Sequence, residues 1–267
     1  MNDFAKPSLS KIRLALYGTA GILVLLFILI LFKLTLAPIA QIRAWEAQLS
    51  AENTNADTQI EIINNPRYDS IQRQIALRKA LLSLTKKDSM VLVVNLPDSS
   101  LNLFLNGVFI HNVRIDEYEI DRFLKDLPLG LYLNQFSKPI TIASSSATIV
   151  KEPIIEKEAP KTPDELITSL TTPDSLVYLP AYVKLAAENG INLFLEQTED
   201  SIREERRVGK AFRSIHKSKR RRELINSLIG MSAYDYQPSL VVKVAKIELT
   251  SIYRALPQET KVVLYYK

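Results

Sequence analysis

The sequence predicts an α+β protein: an N-terminal transmembrane helix and helical stalk, followed by a mainly β sheet or sandwich domain with an added basic helix. Three observations predict it. An uncharged apolar run lies near the N-terminus, a strand-turn-strand pattern closes on Asn106-Gly107, and basic residues gather on a helical pattern after Ser201.

Composition sets the bounds. The 267 residues, 47% apolar and 24% charged, suffice for one large or two small domains beyond an anchor and are too apolar for a disordered chain. The formal charge of +5 conceals an asymmetry, because Arg203 to Arg222 holds ten basic and two acidic residues and the remainder is acidic overall. No cysteine occurs, which excludes disulfides, thiolate metal ligands and cysteine nucleophiles together. The chain also lacks a Gly-x-Ser-x-Gly elbow, a phosphate loop, a dinucleotide fingerprint and a paired-histidine zinc motif, so no cofactor or metal is expected.

The anchor is the run Leu14 to Phe32, nineteen uncharged residues between Arg13 and Lys33. That is close to the ~20 residues a helix needs to cross the hydrocarbon of a bilayer. Lys33 is expected to snorkel, with Leu34 to Leu36 extending the span, so the anchor is placed at 14–36. The competing reading, a cleaved signal peptide, needs small residues at a cleavage site, and Leu36-Ala37-Pro38-Ile39-Ala40 is a poor one. Lys6, Lys11 and Arg13 precede the run while only Lys33 and Arg43 follow closely, which places residues 1–13 in the cytoplasm and the bulk outside, in the periplasm.

Residues 37–89 read as a helical stalk or packing helices. After Pro66, with a cap at Asp69 or Ser70, Ile71, Ile75 and Leu82 form one apolar line and Leu77, Leu81 and Leu84 the next. Trp45 is expected either near the headgroups or as a packing residue. The domain proper is placed at 90–267. Met90 to Leu96 is a strand, Pro97-Asp98-Ser99-Ser100 a turn, Leu101 to Leu105 a second strand, and Val108 to Ile115 a third across a type I′ Asn-Gly turn. Counting back from that turn pairs Leu105 with Val108, Phe104 with Phe109, Leu103 with Ile110 and Asn102 with His111, and a structural role is expected for His111. A mixed stretch follows, and then 144–175, with Pro153, Pro160, Pro163 and Pro173, reads as a linker or surface excursion interrupting the domain. Beyond it the pattern gives a helix at Ala181 to Glu188, a strand at Ile191 to Leu195, the basic helix from Ser201 to about Ile229, and a closing strand, turn or short helix, and strand from Leu240 to Lys267.

Two of these segments resemble the L,D-transpeptidase catalytic domain. Val91-Leu92-Val93-Val94-Asn95-Leu96 through Leu101-Asn102-Leu103-Phe104-Leu105-Asn106-Gly107-Val108-Phe109 is similar to its opening hairpin, and Ile247-Glu248-Leu249 through Val262-Val263-Leu264-Tyr265-Tyr266 to its closing segment. The resemblance covers roughly fifty residues, in the family's order. In that family a cysteine thiolate attacks a peptide carbonyl, a histidine takes its proton and backbone donors hold the oxyanion. Laying Ile247-Glu248-Leu249 on the family's Ile-Arg-Leu strand puts Lys246 at the cysteine's position, Ala245 at the preceding glycine's and Glu248 at the arginine's. His111 and His216 are both far from the pattern of the catalytic histidine. The resemblance therefore implies a degenerate relative without acyl-transfer activity.

On the basic helix, Val208, Phe212 and Ile215 form an apolar stripe that Leu224, Ile225, Leu228 and Ile229 continue. The other face presents Arg206, Arg207, Lys210, Arg213, Lys217, Lys219, Arg220, Arg221 and Arg222 as a candidate surface for an anionic partner. Outside the membrane such a partner is a lipid headgroup, an anionic wall polymer or an acidic protein, and a solvated face without a partner fits equally. The sequence thus points to a signal-anchored bacterial cell-envelope protein, a pseudoenzyme of the inner or plasma membrane that binds or scaffolds at the cell wall. Its expected partners are the membrane and peptidoglycan or another envelope protein. The alternatives are an enzyme acting on peptidoglycan with an unrecognised nucleophile, and a nucleic-acid-binding basic module if the topology is reversed.

Overall fold

The computed structural model describes residues 9–52, 66–84, 90–151, 180–198, 202–230, 234–257 and 259–267. In chain order the elements are α1 (Leu9–Glu52), α2 (Pro66–Leu84), β1 (Met90–Asn95), β2 (Ser100–Leu105), β3 (Val108–Arg114), β4 (Glu117–Ile120), α3 (Arg122–Lys125) and α4 (Leu129–Phe136). They continue with β5 (Ile140–Ala147), β6 (Tyr182–Ala187), β7 (Asn192–Gln197), α5 (Arg203–Ile229), β8 (Ser239–Val244), α6 (Lys246–Ala255) and β9 (Lys261–Tyr265). The chain is α+β with a mixed sheet, and it divides into two compact units: Met1–Thr58 with Ile215–Tyr236, and Gln59–Ser214 with Gln237–Lys267.

In the first unit α1 is one continuous helix with Pro38 inside it, so the expected division at 36/37 between anchor and stalk does not interrupt the helix. It is long and apolar enough to cross a membrane. Its apolar side chains are turned outward, Leu23 to Leu29 being 45–66% exposed, which is not how the core helix of a water-soluble fold behaves. Lys33, expected to snorkel, instead gives its Nζ to the Ser227 carbonyl of α5 at 2.5 Å. Trp45 is buried, as a packing residue rather than an exposed headgroup contact.

The second unit is built on a nine-stranded sheet in the order β3-β2-β1-β9-β5-β6-β7-β8-β4. β1 and β9 pair in parallel inside it, Val93 beside Val263, and their nearly continuous apolar sequences suit strands covered on both faces. On one face Val91, Val93 and Val263 pack under Ala80 and Leu84 of α2, with Leu77, Leu81 and Phe104 around them. α2 begins at Pro66, where a missing N–H costs nothing, rather than at a cap on Asp69 or Ser70. Of its two predicted lines the second is the packing face, while Ile71, Ile75 and Leu82 are exposed. Burial of small Ala76 and Ala80 lets the helix sit close to the sheet, so the alanines, not the isoleucines, mark the inner side.

The sheet curls on itself. β3 and β4 are opposite edges in strand order, yet only Ile115 and Asp116 separate them in sequence. Ile115 N–H donates to the Ser99 carbonyl at 2.8 Å and Asp116 N–H to the Lys243 carbonyl at 2.9 Å, so the chain passes directly from one edge to the other. These two bonds extend the β2–β3 and β4–β8 pairings up to the crossing point.

Four expectations need correction. Within 181–188, residues Tyr182–Ala187 form strand β6, not a helix, paired on both sides, with β5 and with β7. The excursion does not begin at 144: Ser144 to Ala147 belong to β5, and 152–175 of the expected linker lie outside the described residues. In the β2–β3 hairpin, Asn106 and Gly107 take the positive φ of 52° and 77° expected of them, but a bulge follows Phe109. Leu103 therefore faces His111, and Asn102 faces Asn112 instead of His111. Ile247-Glu248-Leu249 is the first turn of α6, not a strand.

Candidate functional site

The residues singled out by the sequence meet around the start of α6. Ala245 is its N-cap, with extended backbone and no side-chain capping bond, and Lys246 is its first helical residue. The Lys246 ammonium forms an ion pair with Glu205 of α5, at side-chain exposures of only 16% and 9%. Glu205 also accepts from the Gln197 amide at 3.3 Å, and the Gln197 carbonyl oxygen accepts the Ala181 N–H at 2.8 Å. Each carboxylate oxygen thus has a partner, as does each buried polar group of the chain Ala181–Gln197–Glu205–Lys246.

Two residues on, Glu248 pairs with His111 of β3 at 2.8 Å. Positions i and i+2 of a helix point to different sides, so the His111 imidazole pairs on a side of α6 away from Lys246. This pair is half exposed, with side chains 44% and 42% accessible. The β-bulge after Phe109 is what rotates His111 out of its expected pairing with Asn102, whose own oxygen instead accepts from the Asn112 amide at 2.7 Å. No sequence signal marks the bulge.

Further polar closure surrounds the sheet. Arg213 grips Glu196 of β7 with Nε at 3.0 and 3.1 Å and Nη2 at 2.5 Å from the carboxylate, and Tyr182 lies between Phe212 and Arg213. Lys151 donates to the Leu256 carbonyl at 2.7 Å and lies 4.6 Å from the Tyr253 ring, and burial lowers its pKa. Burial likewise pushes the phenols of Tyr132 and Tyr266 up, in an aromatic cluster with Phe136 and the Arg73 guanidinium, which sits 4.3 Å over the Tyr132 ring. At the seam, a groove of ≈360 Å³ is lined by Ser99, Asp116, Glu117 and Lys243 among others. Its cation is tied up, since Lys243 donates to Glu117 at 2.7 Å, a bond that raises the lysine pKa.

The nine basic residues of the candidate anionic surface divide between the two units. In the sheet unit Arg206, Arg207 and Lys210 are exposed, whereas Arg213 is committed to Glu196. In the α1 unit Lys217, Lys219, Arg221 and Arg222 are exposed, and Arg220 donates to the Tyr234 hydroxyl at 3.1 Å with its guanidinium 5.3 Å from the Tyr236 ring. Of the apolar stripe, Phe212 is buried but Ile215, Ile225 and Ile229 are 65%, 53% and 78% exposed. Glu196 and Glu205 were not legible as partners, because each pairs with a residue on a different element and neither spacing repeats in sequence.

No protein-family model, no curated protein and no solved structure matches this chain.

Proposed function

We propose that the chain is a membrane-anchored, non-catalytic bacterial cell-envelope protein whose degenerate L,D-transpeptidase-like domain binds or scaffolds at the cell wall. The observation that carries the reading is the state of Lys246. At the position where the resemblance calls for a cysteine, an ammonium is ion-paired to a buried carboxylate whose other oxygen accepts from Gln197. An ammonium has no lone pair with which to attack a carbonyl, and His111 pairs with Glu248 on another side of the helix.

A second support is topological. The two segments that carry the resemblance, one opening and one closing the domain, lie side by side through the parallel pairing of β1 with β9. The exposed apolar helix α1 supports anchoring, and the bulk is placed outside by the charges flanking its apolar run. The test uses the full chain in detergent, incubated with purified peptidoglycan sacculi and sedimented, alongside a topology reporter fused after Lys267. Retention on sacculi with an external reporter is expected. A chain left in the supernatant would sink wall binding, and a cytoplasmic reporter would sink the envelope placement.

A further inference from the structure

We propose that the second half of α5 is a membrane-surface element whose outer face contacts anionic lipid, with Ile225 and Ile229 at the hydrocarbon boundary and Arg221 and Arg222 among the headgroup phosphates. The inference rests on the anchoring reading of α1 and deepens it.

The position of this half-helix follows from contacts within the α1 unit. Lys33 is the first charge after the uncharged run, so it marks the boundary of the hydrocarbon, and its Nζ bonds the Ser227 carbonyl. Ser227 itself is buried. The direction of α5 away from this contact is set by what is covered on α1. Before Lys33, Leu23 to Leu29 are exposed, whereas after it Ala37 and Trp45 are buried. A helix running back along the hydrocarbon segment would cover the first set, so α5 extends along the part of α1 outside the membrane. Gly230 N–H bonds the Asn226 carbonyl, and the Tyr234 hydroxyl accepts from Arg220.

The chemistry along this half-helix then follows the chemistry of a bilayer. At 100° per residue, Ile225, Ile229, Arg221 and Arg222 fall on the face opposite Ser227, away from α1. The two isoleucines, 53% and 78% exposed, lie within one turn of Ser227. Arg222 and Arg221 follow about 7 to 9 Å further along the axis at 1.5 Å per residue, the thickness of the headgroup layer. Large exposed aliphatics next to a hydrocarbon boundary, followed by exposed cations one to two turns out, match the order of hydrocarbon and headgroup in a bilayer. Each basic residue near an anionic surface adds about 1 kcal/mol of attraction. That order of apolar and cationic side chains, beginning at the level of Lys33, favours a lipid surface over a protein partner.

The chain's lack of cysteine allows the test without background. Full-length protein carrying a single nitroxide-labelled cysteine at Leu25→Cys, Ile215→Cys or Ile229→Cys is placed in nanodiscs of phosphatidylcholine alone or with phosphatidylglycerol. Collision with oxygen, which concentrates in lipid, is compared with collision with a water-soluble nickel chelate. The Leu25 and Ile229 probes are expected to favour oxygen and the Ile215 probe nickel. Oxygen preference at Ile229 should rise several-fold with phosphatidylglycerol and lose that rise in Arg221→Glu/Arg222→Glu. An aqueous Ile229 probe with a lipid-exposed Leu25 probe overturns the proposal and leaves the anchor standing. Shielding of Ile229 from both collision partners overturns it in favour of a protein contact, and an aqueous Leu25 probe overturns anchor and proposal together.

Discussion

Helix α6 makes two ion pairs, two residues apart, that belong to different physical worlds. Lys246–Glu205 is closed off at 16% and 9% exposure and tied into Gln197, while His111–Glu248 stands half in solvent at 44% and 42%. A buried charge that loses its partner has nowhere to go, whereas an exposed one is simply rehydrated. The difference teaches that position 246, where catalysis would be looked for, is held as part of the packing between α5 and α6. The His111 imidazole lies on the half-exposed side, where an ion pair contributes little to stability.

The largest effect is expected from breaking the inner pair. Glu205→Ala leaves the Lys246 ammonium buried and unpaired and should cost about 3 to 5 kcal/mol in denaturant unfolding. Replacing both charges while keeping an acceptor for the Gln197 amide, as Lys246→Met with Glu205→Gln, should recover most of that loss. If the double variant is no better than the single one, the pair is not the stabilising unit.

Gly209→Ala sharpens the same side of the comparison. Gly209 lies one turn after Glu205 on α5, and a Cβ there would come within 2.5 Å of Cζ of Tyr182, a ring with no exposed surface. Alanine normally strengthens a helix. Here it should destabilise by about 1 to 3 kcal/mol, because α5 must lift from β6 and the ring cannot swing aside. A stabilised variant would show that this helix is not seated on Tyr182.

The outer side should respond less. Gly107→Val forces a β-branched residue to φ 77° in the hairpin that carries His111, at about 1 to 2 kcal/mol, read as a lowered Tm. Glu248→Gln, which removes only the half-exposed pair, should cost no more than about 1 kcal/mol. A loss as large as that of Glu205→Ala would erase the distinction between the two pairs.

Legibility in the sequence followed the range of the interaction. The Asn106-Gly107 turn was readable because it needs two positive-φ residues, a local demand few pairs meet. The long apolar run of α1 and the charge period of α5 were readable for the same reason. β6 was misread because Leu185-Ala186-Ala187-Glu188 has helix-forming composition, which pairing with β5 and β7 overrides. Ser144-Ser145-Ser146 looked like linker and is strand because β6 lies against it. At the site, Lys246 was found only through the resemblance. Its partner Glu205 lies 41 residues earlier, and no period connects them.

The central claim is that Lys246 is a structural cation and not a nucleophile. Intact-mass spectrometry of the detergent-solubilised full chain, after incubation with a carbapenem β-lactam of the kind that acylates active L,D-transpeptidases, tests it most directly. The account predicts an unchanged mass for the native chain and for Lys246→Ala alike. A mass increase in the native chain that disappears in Lys246→Ala would contradict it and make the protein an enzyme with a substituted nucleophile.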